Sequence, residues 1–268
     1  MELYVFRSLW GMTGPIEARI AQIAAEGYDG VETGHQPDVI SASDLRMLLD
    51  RYHLKLTMGT TIDSSSQIEA MLSIHTVYQP LRLGVHAGRD SMSHDEGARF
   101  IEQALKIAQK IGIKVAFETH RGRIFYTPWD TAFYLQQFSD LHVVADFSHW
   151  VNVCERLPDD QITAINLACE RTIHIHGRVG YEEGPQVPDP AAPEYAKQRE
   201  WHEARWQTIW EAHQRRADSF LTFTPEYGPP GYMHTLPHTK APVADLSTIC
   251  LWAATRIRQQ FASVHTRA

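Results

Sequence analysis

Apolar residues along the chain fall into two alternating patterns. Short runs rich in β-branched and aromatic residues are separated by longer stretches with apolar positions three and four apart. The first pattern predicts buried strands and the second amphipathic helices. The first strand is Leu3–Phe6, and IEARIAQIAAEG after Pro15 reads as a helix stopping at Gly27. YDGVET is a second strand, followed by a helix opening near Ser43 (SDLRMLLDRY). LKLTMGT is a third strand, SQIEAMLSI a short helix and LRLGVHAG a fourth strand. The clearest helical period lies between Asp95 and Ile111, where Ala98, Ile101, Ala104, Leu105 and Ala108 share one face. KVAFETH is a fifth strand, and Thr127-Pro128 opens the next helix with proline at an early position. LHVVADF is a sixth strand, with a helix after Pro158, and RTIHIHG a seventh. A Gly/Pro-rich loop from Gly177 to Pro193 leads to a helix carrying Trp201, Trp206 and Trp210. FLTFTPE is the eighth strand, and after a second irregular loop the chain ends in a helix from about Asp245.

Repeated strand–helix units imply parallel strands with helices outside. Eight of them in 268 residues predict an α/β fold closed as a single (β/α)8 TIM barrel, one domain over 1–268. An open doubly wound sheet would carry a Gly-rich phosphate turn after its first strand, and no GxGxxG is present there.

Composition adds exclusions. The hydrophobic fraction of 43% suffices for a large core, yet no apolar run approaches the roughly 20 residues of a membrane helix. MELYVFRSLW has no signal-peptide pattern. Cys154, Cys169 and Cys250 lie far apart and read as free thiols of a reducing compartment, so a cytoplasmic location is expected, with no membrane partner. The formal net charge is −7 and no stretch concentrates Lys and Arg, which argues against a nucleic-acid partner.

In a barrel of this kind the chemistry sits at the C-terminal strand ends. Those ends carry Glu32, His86, Glu118 then His120, Asp146 then His149, His174 and His176 then Arg178, and finally Glu226. With side chains at i and i+2 on one face, His174 and His176 point into the barrel or its mouth, and Ile173 and Ile175 pack against helices. Unpaired charges there would cost several kcal/mol, and a divalent cation is the economical partner for converging carboxylates and an imidazole. Such mixed O/N ligation suits Mn²⁺, Mg²⁺ or Co²⁺ better than structural Zn²⁺. Blander readings stand beside these. A strand-end glutamate is usually solvated or salt-bridged. His174 reads as a satisfied inner-wall histidine, and His86 and Glu32 as hydrogen-bond partners of ligands. Trp10 and Trp150 suit either sugar stacking or packing, and His234 and His238 read as polar loop residues.

GYDGVET, AFETH, the D-x-x-H of ADFSHW, HIHGR and TPEYG together resemble the xylose isomerase-like TIM-barrel superfamily of sugar phosphate isomerases and epimerases, over nearly the whole chain. The resemblance implies one divalent metal ion, expected to be Mn²⁺ with Mg²⁺, Co²⁺ or Zn²⁺ as substitutes, held by Glu118, Asp146, His176 and Glu226. It implies Glu118 and Glu226 as the acid/base pair exchanging a proton through an enediolate. His149 and Arg178 would bind substrate, with His86, Glu32 and Trp10 around it. Arg178 departs from the family, whose arginine lies further beyond the histidine, and the segment GRVGYEEGPQVPDP exceeds the usual loop. The substrate expected is a small, unphosphorylated carbohydrate; homo-oligomerisation stays open. A metal-dependent lyase or dehydratase on a keto-sugar or keto-glycoside is the alternative. An abasic-site endonuclease ranks lower, because no Asp-x-His beyond strand seven completes a trinuclear site. A non-catalytic binding barrel ranks lower because all four ligands are present.

Overall fold

In the computed structural model, which describes residues 1–265 and their side chains as far as Ala262, eight parallel strands close into a ring. They are β1 Glu2–Ser8, β2 Gly30–Thr33, β3 Lys55–Ile62, β4 Leu83–Ala87, β5 Val115–Glu118, β6 Val143–Ala145, β7 Thr172–His176 and β8 Phe220–Thr224. Closure is made by β8 pairing back onto β1, with Leu221 opposite Leu3 and Phe223 opposite Val5. Between the strands run α1 Ile16–Ala25, α2 Ala42–Arg51, α3 Ile68–Thr76, α4 His94–Ile111, α5 Pro128–Gln137, α6 Ser148–Cys154, α7 Ile162–Arg171, α8 Ala196–Arg215 and α9 Leu246–His265.

Local chemistry sets the boundaries. Ser93 and Glu96 form a reciprocal capping box at the start of α4, and Gly112 ends that helix at φ 72°, a left-handed conformation that costs glycine little. Thr127 accepts from the Asp130 amide ahead of Pro128, and Asp245 accepts from the Thr248 amide at 2.8 Å where α9 begins. One helix, α6, was not legible in the sequence. It follows β6 at once and buries Ser148, His149, Trp150 and Val151 on successive positions, so it shows no amphipathic period.

One expectation fails for a geometric reason. The register between β6 and β7 slips, Val143 facing Thr172 and Val144 facing His174, which leaves Ile173 as a bulge residue. Ile173 packs with Ala116 and Val144, on the strand faces shared by Glu118 and Asp146, and not against the helices. Ile175 does join the main core, where Trp206 meets Phe223 edge-to-face at 5.2 Å. The three cysteines are free and buried. Among the described residues no helix is long and apolar enough to cross a membrane.

Candidate metal centre and active site

The strand ends bring together the four residues singled out as ligands. Glu118 closes β5, Asp146 follows β6, His176 closes β7 and Glu226 stands just beyond β8; one ligand atom from each lies within 4.8 Å of all the others. Asp146 and His176 are locally anchored. The Asp146 amide donates to Thr119 Oγ1 at 2.9 Å, and Asp146 Oδ1 accepts from the Ser148 amide at 3.1 Å. His176 Nε2 donates to Glu32 Oε1 at 2.9 Å, while its Nδ1 faces Glu118 Oε2 and Glu226 Oε2, each at 3.3 Å.

That arrangement fits a cation. His176 Nδ1 is buried without a hydrogen-bond partner. A neutral imidazole donating through Nε2 would aim its Nδ1 lone pair at two carboxylates, so a proton or a metal ion belongs there. Burial disfavours the imidazolium, but Glu226, Glu32 and Glu118 outweigh it and hold His176 well above its ordinary pKa. Asp146 moves the other way. Burial, helped by Glu226 and Glu118, raises it to about 6 despite Arg178. Glu118 is pushed up by burial, yet His86 and His176 bring it well below the usual carboxylate range. Carboxylates are in excess over the one guanidinium, and a divalent ion would relieve the imbalance.

Two further groups of ligand atoms converge beside this set: Glu32 with His174 and His176, and His86 with Glu118 and His120. In the first, Glu32 already accepts from both imidazoles, and His174 is further satisfied by Thr222 Oγ1 at 2.7 Å, as expected of an inner-wall histidine. Glu32 is best described as the carboxylate that orients His176. In the second, His86 Nε2 lies 2.8 Å from Glu118.

The mouth is a cavity of about 490 Å³ lined by Trp10, Glu32, His86, Glu118, His120, His176, Arg178, Glu226 and Tyr232, a volume that suits a small molecule. Trp10, 37% exposed, stands at its rim and meets Tyr232 edge-on at 5.0 Å. Asp146 and His149 lie behind this wall, both fully buried. Arg178 Nη2 bonds Asp146, donates to His149 Nε2 at 2.9 Å and approaches Glu226 at 3.4 Å. Burial, then Arg178 and His120, keep His149 neutral, which lets it accept from the guanidinium. His149 therefore reaches the cavity through Arg178. Trp150 is buried, its indole donating to the Phe125 carbonyl at 3.1 Å, so it is a packing residue.

Tyr232 escaped the sequence reading. Arg178 lies 4.8 Å from its ring centroid, and it sits in the irregular loop after β8, where no period marks it. The 177–193 loop acts as a buttress. Gln186 donates to the Gly228 carbonyl and accepts from the Gly228 amide at 2.7 Å, the Val179 amide donates to the Tyr227 hydroxyl, and the Gly180 amide to His202 Nε2 at 3.4 Å. The Gln186 and Val179 bonds tie the β7 loop to the segment carrying Glu226, and the Gly180 bond ties it to α8.

Neither a protein-family model nor a curated protein sequence matches the chain. Solved structures do. An L-ribulose 3-epimerase superposes with TM-score 0.65 at 12% identity, covering 100% of this chain and 97% of its own. A 3-keto-D-glucoside 4-epimerase from E. coli gives 0.61 at 14% identity, with 96% and 100% covered. A probable 3-DHS dehydratase from Bacillus anthracis gives 0.55 at 14% identity, with 87% and 95% covered. Matches extend to an AP endonuclease and to xylose isomerase domain proteins. At these identities the likeness is one of fold, and the fold of this chain is that of the xylose isomerase-like TIM barrels.

Proposed function

We propose that the protein is a divalent-metal-dependent isomerase or epimerase acting on a small carbohydrate. The observation that carries this reading is the convergence of Glu118, Asp146, His176 and Glu226, with the unpartnered His176 Nδ1 facing two of the carboxylates. These four residues would hold the ion, with Mn²⁺ favoured by their oxygen-rich donor set. When bound, the ion would supply Lewis-acid polarisation of a carbonyl and its neighbouring hydroxyl.

The remaining work falls to the chain. Glu118 on β5 and Glu226 beyond β8 both reach the cavity wall, so one can take a proton from carbon and the other return it. Arg178, fixed by Asp146 and His149, presents a permanent positive charge where negative charge develops on a substrate oxygen. Glu32 fixes the ring orientation of His176. Trp10 and Tyr232 give the mouth an aromatic edge for the apolar face of a sugar. Similarity of fold to two carbohydrate epimerases supports the substrate class.

The test is metal content by elemental analysis of protein purified without chelator, beside Glu118→Ala, followed by NMR of ketoses and keto-glycosides for exchange of the α-proton with solvent. About one equivalent of metal, lost in the variant, together with exchange is expected. No metal in the wild type would overturn the reading.

A lyase on a keto-sugar or keto-glycoside is the second reading. It needs an acid for the leaving group beside the base, and His86 Nε2, 2.8 Å from Glu118 in the cavity wall, is in place for it. A product lacking water or an aglycone would select this reading, and a product isomeric with the substrate the first.

A further inference from the structure

At the opposite end of the barrel the chain gathers positive charge. The residues directly before four successive strands are Arg82 before β4, Lys114 before β5, His142 before β6 and Arg171 before β7. All four line one cavity of about 550 Å³ at the N-terminal face of the ring. Two acids share it, and both are engaged. Asp218 binds Arg216 Nη2 at 2.8 Å and His213 Nδ1 at 2.8 Å, and Glu170 pairs with Arg215. Arg171 donates to the Phe138 and Ser139 carbonyls.

Arg82 and Lys114 remain. Among the described residues, neither has a carboxylate within salt-bridge distance, although Arg82 is only 5% exposed. The Arg82 Nε is buried without a hydrogen-bond partner, as is His142 Nδ1, and the guanidinium rests on the Phe220 ring at 4.9 Å. Burial pushes Arg82 down to about 10, and burial together with Arg82 lowers Lys114. Asp218 offsets this for both only from beyond salt-bridge distance, and a buried cation so weakly countered is costly, with a second one beside it adding repulsion.

We propose that this cavity is a second binding site, for an oxyanion group of a small metabolite, with Arg82, Lys114 and His142 as its donors. A guanidinium, an ammonium and an imidazole N–H around a polar-lined cavity match phosphoryl or carboxylate oxygens. The site lies across the barrel from the candidate metal centre and is independent of the reaction proposed there.

The test is isothermal titration of the purified protein with inorganic phosphate and, separately, malonate, at constant ionic strength set with chloride. Saturable binding is expected, at least about tenfold weaker in Lys114→Gln and retained in Lys114→Arg. Preference for phosphate assigns a phosphorylated ligand, and preference for malonate a carboxylated one. Arg82→Gln is the companion variant, but Arg82 belongs to the barrel floor and its loss can prevent folding. Lys114→Gln therefore carries the result. No saturable binding of either anion, or equal affinity in Lys114→Gln, overturns the proposal.

Discussion

Glu32 Oε1 accepts a hydrogen bond from His176 Nε2 at 2.9 Å, joining β2 to β7 across 144 residues of chain. That bond fixes which imidazole nitrogen faces the candidate metal centre. Glu32→Ala leaves all four proposed ligands in place, yet it is expected to lower Mn²⁺ affinity about 10–100-fold, since carboxylate partners of metal-binding histidines contribute on that scale. Calorimetric titration checks this, and unchanged affinity would remove Glu32 from the centre.

Metal addition should stabilise the fold. An ion that binds only the native state adds about 2.7 kcal/mol at about 100 times its Kd. Thermal melts with and without Mn²⁺ should therefore differ by several degrees in the wild type and not in Glu226→Ala. Equal shifts in both proteins would place the ion elsewhere.

Gly177 separates His176 from Arg178, and a Cβ there would sit 1.8 Å from Phe223 Cζ in the core. Gly177→Ala should destabilise the protein by about 1–3 kcal/mol, the usual range for overpacking. Because the backbone must move between a proposed ligand and the Arg178 guanidinium, metal affinity should fall as well. Urea unfolding measures the first effect, and a midpoint equal to wild type would contradict the packing argument.

His202 makes the fold acid-sensitive. Its Nδ1 donates to the Gln198 carbonyl at 2.8 Å and its Nε2 accepts from the Gly180 amide, so only the neutral ring suits both. Burial lowers its pKa to about 4 from an ordinary 6.5. The unfolded chain therefore takes up this proton first as the pH falls. The contribution of the neutral ring is complete above about pH 6.5 and shrinks as pH drops toward about 4, a total of about 3 kcal/mol. Urea midpoints of wild type and His202→Gln at about pH 7 and about pH 5 should show a smaller acid loss in the variant; parallel losses would exclude His202.

The barrel was legible because strands and most helices carry their own period and punctuation: the stop at Gly27 and the start at Thr127 with Pro128 are visible in the chain. The candidate ligands were legible because strand ends are countable. What escaped depends on relations between strands. The bulge that turns Ile173 inward comes from a register slip between β6 and β7, with no local signature. The burial of His149 behind Arg178 depends on α6, too short and too uniformly buried to show a helical face. The basic cavity escaped for a similar reason. Arg82, Lys114, His142 and Arg171 are single residues ahead of separate strands, and no short window along the chain holds two of them.

The ring divides its labour unevenly. Glu118, Asp146, His176 and Glu226 all belong to the half built from β5 to β8, while β2 and β4 supply Glu32 and His86, which engage His176 and Glu118 within the same mouth. The later half thus holds the candidate coordinating atoms, and the earlier half sets their tautomer and acidity. Substitutions at Glu32 or His86 in the first half of the chain would then retune the candidate centre while leaving the proposed ligands untouched.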